Sequence, residues 1–233
     1  YRFRTKSDTE VLMVSLERWG IKALSKISGM FAFCYVDQEN NQAYLARDRF
    51  GQKPLYFTKI NDGFIFASEI KAILSTGINS TPNYSEILRF ANFSQYDNGE
   101  ETLFKNINQL DSGNYIKYNL KNNKFKIYNW YNLEKETKKF NYKFRCLSRE
   151  QIYERLNHLL SEVCLEHSIS DVPISLSLSG GLDSSTILAS LSNYKTKLNI
   201  RCNLINFEGG FSEEKYVKEL TRKYRQKYFL NTY

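Results

Sequence analysis

Ser179-Gly180-Gly181-Leu182-Asp183-Ser184-Ser185 follows an alternating stretch, residues 173–178, that reads as a buried strand, and it leads into Ser185-Thr186-Ile187-Leu188-Ala189-Ser190-Leu191, which reads as the start of a helix. Two glycines between a strand and a helix let the backbone turn sharply and approach a ligand closely. The first helical turn then offers unpaired N–H groups and the positive end of the helix dipole to an anion. Asp183 adds a carboxylate beside that anion site, where Mg²⁺ would bridge it to phosphate oxygens. Other glycine loops fit less well. A P-loop ends in Gly-Lys-Ser/Thr, and no lysine stands here; a dinucleotide fingerprint needs three glycines. A hydrolase elbow needs a glycine two residues before its serine, and Ser177 precedes Ser179 at that spacing. The plain alternative is an ordinary glycine turn.

The surrounding pattern gives this loop a place. A helix is predicted over 149–168, with Ile152, Leu156, Leu159, Leu160 and Val163 on one face. Strand 172–178, helix 184–193, strand 199–207, helix 212–224 and a further strand near Tyr228 follow. This alternation predicts a parallel α/β sheet, in which a ligand sits beyond the carboxyl ends of the strands, where Ser179 falls. The first part of the chain reads differently. Ser7 and Glu10 have capping-box spacing ahead of a helix that ends near Gly20. Residues 30–37, 42–47, 55–59 and 64–67 read as strands, with turns at Glu39-Asn40-Asn41 and Asn61-Asp62-Gly63. Ser68 is placed to cap a helix running to about Ser75, and a hairpin near 113–130 turns at Asn122-Asn123. That order predicts a layered α+β domain over 1–130, a polar, lysine-rich linker over 131–147, and the α/β domain over 148–233.

The 233 residues suffice for one large domain or two ordinary ones. No apolar run is long enough to span a membrane, so no membrane partner is expected. Cys34, Cys146, Cys164 and Cys202 show neither disulfide nor metal spacing, which favours a reducing, cytoplasmic compartment. His158 and His167 are too few for a histidine zinc site. The net charge of +8 suits ATP or a nucleic acid. The lysines from Lys117 to Lys143, however, sit on elements with one buried face, so a solvated surface explains them and no nucleic-acid partner is expected.

The glycine run resembles the pyrophosphate loop of the N-type ATP pyrophosphatases. Upstream, Ser7-Asp8-Thr9-Glu10, Ser28-Gly29-Met30-Phe31-Ala32-Phe33, Leu45-Ala46-Arg47-Asp48-Arg49-Phe50-Gly51-Gln52-Lys53-Pro54-Leu55-Tyr56 and Phe66-Ala67-Ser68-Glu69-Ile70-Lys71 resemble, in that order, the later part of a class II glutamine amidotransferase domain, a fold of the N-terminal-nucleophile type. Together the two halves resemble the glutamine-hydrolysing asparagine synthetases. The resemblance implies glutamine, ATP and aspartate as substrates, Mg²⁺ as cofactor, and a homodimer as a compatible assembly. It implies that Asp8 holds the substrate ammonium, that Leu178 and Ile205 flank the adenine, and that Ser179, Gly180, Gly181 and Ser184 cradle pyrophosphate while Asp183 holds Mg²⁺. Met30 matches a position along the ammonia path, although Met is also a common core gap-filler. Arg47, Asp48 and Glu69 are expected to form structural ion pairs or hydrogen bonds, and Gly51 and Pro54 to fix a tight loop.

The sequence departs from that family at both ends. Class II glutaminases use a Cys at the mature N-terminus; Tyr1 stands at the start here and none of the four cysteines takes that role, so no catalytic residue is assigned. The expectation is an internal piece of a longer ligase, inactive by itself. The rival readings are a related amidotransferase acting on another carboxylate, a tRNA-modifying or GMP-forming pyrophosphatase, and a nucleotide- or glutamine-binding protein without turnover.

Overall fold

The computed structural model of this chain describes residues 1–61, 63–79, 81–95, 99–192, 200–206 and 212–232. The chain divides into two compact units, Tyr1–Lys138 and Lys139–Tyr233. No helix among the described residues is long and apolar enough to cross a membrane.

The first unit opens with helix α1 (Asp8–Trp19) and a 3-10 turn (Gly20–Ser25). Strands β1 (Ala32–Asp37), β2 (Gln42–Arg47), β3 (Tyr56–Ile60) and β4 (Gly63–Ala67) follow. After helices α2 (Ile70–Leu74) and α3 (Tyr84–Phe93) come β5 (Asn108–Gln109), β6 (Asn114–Asn119) and β7 (Phe125–Asn129); the division between the units falls within helix α4 (Leu133–Phe144). The strands form two antiparallel sheets, ordered β1-β2-β6-β7 and β4-β3-β5. Alternation selects their inner faces. Ala43, Leu45, Ile116 and Tyr118 of the larger sheet share one buried core with Phe57 of the smaller sheet and with Leu55 and Leu110 beside it. Phe64 ties the sheets together, stacking on Phe57 at 5.3 Å and meeting Tyr118 at 5.5 Å.

Arg47 and Asp48, at the end of β2, organise the loop that leads to β3. Asp48 is fully buried. One carboxylate oxygen accepts from the Phe31 N–H at 3.2 Å and the Lys53 N–H at 3.0 Å, and the other from the Phe50 N–H at 3.1 Å and the Gln52 N–H at 3.0 Å. Arg47 takes the complementary groups, donating to the carbonyls of Lys53, Leu110 and Gly51, each at 2.7 Å. Gly51 is required at its position. Its φ is +65°, and a Cβ there would lie 2.9 Å from the Arg47 guanidinium carbon. The expected hydrogen bonding of Arg47 and Asp48 is thus directed at backbone, whereas Glu69 makes an exposed ion pair with Lys71 at 2.7 Å.

The second unit contains α5 (Arg149–His167), β8 (Ser175–Ser177), α6 (Leu182–Ser192), β9 (Arg201–Asn206), α7 (Glu214–Lys223) and β10 (Tyr228–Thr232). The strands pair parallel in the order β10-β9-β8. Leu178, Leu188, Leu191, Cys202, Leu204 and Val217 form its core, so the helices bury one face of the sheet. Ser148 caps α5 through a complete capping box with Gln151.

Several expectations need correction. Ser7 caps α1 by accepting from the Thr9 N–H, and the Glu10 carboxylate reaches past Ser7 to the N–H groups of Arg4 and Thr5. Glu69, not Ser68, is the residue at the start of α2. The expected linker 131–147 contains a helix, Leu133–Phe144, held by a Glu134–Lys138 ion pair at 2.6 Å and by the Asn132 side chain accepting from the Lys135 N–H. The stripe on α5 is not buried: Ile152, Leu156, Leu159 and Val163 remain 40% to 49% exposed. Strand β8 is shorter than 172–178. Asp62 of the predicted turn, residue 193 of the predicted helix, residues 199 and 207 of the predicted strand, and residue 233 lie outside the described residues.

The buried carboxylate gives the first prediction. Asp48→Ala strands four N–H donors and is expected to destabilise the first unit by about 3 kcal/mol. Asp48→Asn, whose NH₂ faces two donors, should do nearly as much harm. Lys121→Ala, at the exposed tip of the β6–β7 hairpin, should change stability by less than ~0.5 kcal/mol. Urea unfolding of the three variants checks this; equal midpoints for the Asp48 and Lys121 variants would remove Asp48 from its structural role.

Candidate functional site

The glycine loop leaves β8 with Leu178, whose N–H donates to the Asn203 carbonyl of β9 at 2.8 Å and whose side chain is only 1% exposed. Gly180 then takes φ +71°, and α6 begins at Leu182. This left-handed residue turns the chain from strand to helix in the space of the two glycines. Hydroxyls organise the turn. The Ser179 N–H donates to Ser184 Oγ at 3.3 Å, the two hydroxyl oxygens lie 3.3 Å apart, and the Gly181 N–H meets Ser179 Oγ at 3.4 Å. The Ser185 hydroxyl donates to the Gly181 carbonyl at 2.6 Å. Asp183 stands in the first turn of α6 with its side chain exposed. Ser179, Gly180, Gly181, Asp183 and Ser184 are therefore brought together at one helix N-terminus, an arrangement suited to an anion with several oxygens.

Leu178 and Ile205 are not brought together. Leu178 shares the core with Leu204, whereas Ile205, the next residue of β9, is on the opposite side of the pleat and 50% exposed. Two residues beside the loop carried no sequence signal. A Cβ on Gly180 would lie 3.0 Å from the Tyr216 Cβ and 3.5 Å from the Glu213 carbonyl oxygen. Tyr216 also lines an open hollow of about 280 Å³ beside the loop, with Gly180, Ser185, Glu219, Leu220 and Lys223. More than thirty residues separate Tyr216 from Gly180, so only the folded sheet reveals the contact. Among the described residues no cluster of three His, Cys, Asp or Glu side chains could hold a metal ion. A Mg²⁺ ion held by Asp183 would take its remaining ligands from phosphate and water, which is the usual habit of that ion.

In the first unit, Asp8 lies exposed at the first residue of α1. Among the described residues its hydrogen-bond partner is the neighbouring Thr9 hydroxyl, at 3.4 Å. Capping falls to Ser7, so the Asp8 carboxylate keeps acceptor capacity for a ligand. The segment ahead of it is folded back by Glu10, which accepts from the Arg4 N–H at 2.9 Å, the Thr5 N–H at 2.7 Å and the Thr5 hydroxyl at 2.6 Å. These bonds, led by the Thr5 hydroxyl, hold the Glu10 carboxyl below its ordinary range. Met30 precedes β1 and is 43% exposed, so it does not fill the core. All four cysteines are free thiols, and burial pushes Cys34 and Cys202 up, away from the reactive thiolate.

Comparison with known proteins gives two family matches in chain order. The model of the glutamine amidotransferase domain matches residues 1–131, and that of asparagine synthase matches residues 155–229. The chain is 33% identical over 192 residues to asparagine synthetase [glutamine-hydrolyzing] 2 of Bacillus subtilis, covering 80% of the chain and 26% of that protein. It is 29% identical over 216 residues to a putative asparagine synthetase [glutamine-hydrolyzing] 2 of Methanocaldococcus jannaschii, covering 92% of the chain and 41% of that protein. It is 28% identical over 220 residues to amidase chyE of Penicillium rubens, covering 89% and 32%. The chain thus spans less than half the length of these relatives.

Glu10 supplies a pH test of the geometry around Asp8. Its lowered carboxyl means that the fold-back of the first residues is intact above the ordinary glutamate range and is lost as pH falls through the depressed value. The Thr5 amide resonance should follow this titration, with a midpoint below that of an ordinary glutamate, and Glu10→Gln should abolish it. A Thr5 midpoint in the ordinary range would show that the fold-back does not persist in solution.

Proposed function

The chain belongs to the family of glutamine-hydrolysing asparagine synthetases, and from that premise we propose that it carries parts of both sites of a glutamine-dependent asparagine synthesis. Glutamine is hydrolysed to glutamate and ammonia. ATP adenylates the side-chain carboxylate of aspartate and releases pyrophosphate, and ammonia then displaces AMP to give asparagine. The observation that carries this reading is the Ser179–Ser185 loop at the carboxyl end of β8, in a chain whose preceding half matches a glutamine amidotransferase domain. We assign the first activity to residues 1–130, of N-terminal-nucleophile type. The second falls to residues 148–233, of ATP-pyrophosphatase type, with 131–147 joining them.

In this reading Asp8 accepts a charge-assisted bond from the ammonium of glutamine. Ser179, Gly180, Gly181 and Ser184 surround the pyrophosphate, whose charge meets the N-terminus of α6. Asp183 would hold Mg²⁺, which when bound offsets the phosphate charge. Of the two residues proposed to flank the adenine, half-exposed Ile205 offers its side chain, whereas the Leu178 side chain stays in the sheet core. Met30 lines the ammonia path, consistent with its exposure. The four free thiols favour a reducing, cytoplasmic setting. A second reading is amide formation on another carboxylate; among the relatives, one at 28% identity is named an amidase rather than an asparagine synthetase.

Two variants of the full-length protein separate the sites. Asp183→Ala is expected to abolish ATP-dependent pyrophosphate release and leave glutamine hydrolysis measurable; normal pyrophosphate release would cancel the metal assignment. Asp8→Asn should weaken glutamine use roughly ten- to hundredfold and spare synthesis from added ammonia. Unchanged glutamine kinetics would leave Asp8 with the start of α1 alone. Comparing aspartate with other carboxylates as acceptor decides between the two readings.

A further inference from the structure

We propose that Tyr216 is a positioning residue for the glycine loop: from the first turn of α7 it walls Gly180 and holds the loop N–H groups in the direction an anion needs. The inference rests on reading the loop as a pyrophosphate cradle.

The loop's ties around Ser179 are long, at 3.3 to 3.4 Å, whereas the Gly181 carbonyl is held closely by the Ser185 hydroxyl at 2.6 Å. Gly180 itself has no side chain to fix its φ and ψ, and glycine moves among conformations closed to other residues. Beside it lies the open hollow, into which the Gly180 peptides could swing. Tyr216 stands at that boundary, close enough that its Cβ would lie 3.0 Å from a Cβ on Gly180.

The wall is firm because α7 is firmly held. Val217, the next residue, is fully buried in the core of the second unit. Tyr216 and Val217 N–H groups both donate to the Glu213 carbonyl, at 3.0 and 3.2 Å. Glu214 accepts from the Tyr228 hydroxyl of β10 at 2.9 Å and pairs with Lys218 at 3.0 Å, so the first turn of α7 is tied to the sheet. Among the described residues the Tyr216 hydroxyl has no hydrogen bond, and the approach to Gly180 is made at the Tyr216 Cβ. That predicts a sharp series: Phe and Ala keep the Cβ, and Gly removes it.

The test uses the full-length protein. Hydrogen exchange is measured on peptides spanning residues 178–185, and the KM for ATP is measured in pyrophosphate release. Tyr216→Phe and Tyr216→Ala should match the parent within about twofold on both, while Tyr216→Gly should raise loop exchange and the KM for ATP by about tenfold. Lys215→Gly, at the neighbouring exposed position, introduces the same helix penalty without touching the wall and should stay within about twofold. Glutamine hydrolysis should be unchanged throughout. The proposal is overturned if Tyr216→Gly disturbs the loop no more than Lys215→Gly does. If the parent protein releases no pyrophosphate from ATP, the cradle reading falls, and the exchange comparison alone decides whether Tyr216 holds the loop.

Discussion

A carboxylate without solvent contact must find its hydrogen bonds inside the protein, and Asp48 finds four of them on backbone N–H groups. Three come from the loop that follows it and one from Phe31, ahead of β1. Arg47 mirrors this with three carbonyls, one of them Leu110 beside the smaller sheet. The backbone of the same two residues reaches further still: the Gly113 N–H donates to the Asp48 carbonyl at 2.8 Å, and the Trp130 indole N–H to the Arg47 carbonyl at 3.1 Å. The residue pair therefore links the start of β1, the β2–β3 loop, the approach to β6 and the end of β7. A loop with this many backbone groups inside the protein is stable only when each is paired. Here two adjacent side chains of opposite charge serve both kinds of group.

The second unit handles its loop in another way. Gly180 and Gly181 connect strand to helix with serine hydroxyls rather than a buried ion, and Ser179, Leu182 and Asp183 stay exposed. That difference suits the two tasks. The Asp48 loop holds two sheets in register and gains from being closed. The anion-binding role proposed for the glycine loop needs its N–H groups aimed but not already bound to strong partners, since a ligand would have to displace them.

Much of this was legible in the sequence where the signal is local. The alternating strands β2, β6 and β7 and the glycine loop each depend on residues a few positions apart. Helix α3 was not anticipated. Its apolar residues Tyr84, Leu88 and Phe93 are exposed, so the usual correspondence between pattern and burial gives no guide. Helix α4 was read as linker because Lys and Glu dominate it, yet those charges pair at helical spacing. The α5 stripe shows the converse, a correct helix whose apolar face stays exposed. At the site, the loop was visible but the split between Leu178 and Ile205 was not. It follows from where β8 ends, and strand ends are set by pairing with β9 rather than by composition. Tyr216 was invisible for the same reason, its relation to Gly180 being made only by the parallel sheet.

Three aspartates show how environment separates roles that sequence leaves alike. Asp8, Asp48 and Asp183 each stand next to Ser, Thr, Leu or Arg residues that invite both structural and functional readings. Asp48 is buried, and its acceptor positions are engaged by backbone donors, so an additional cation would compete with bonds that the fold requires. Asp8 and Asp183 both occupy the first turn of a helix, where the dipole stabilises a negative charge without consuming its lone pairs. The neighbouring serines, Ser7 for α1 and Ser184 for the loop, carry the local hydrogen bonding instead. A carboxylate relieved of capping by an adjacent hydroxyl keeps its oxygens free to face outward, which is what the roles proposed for Asp8 and Asp183 require.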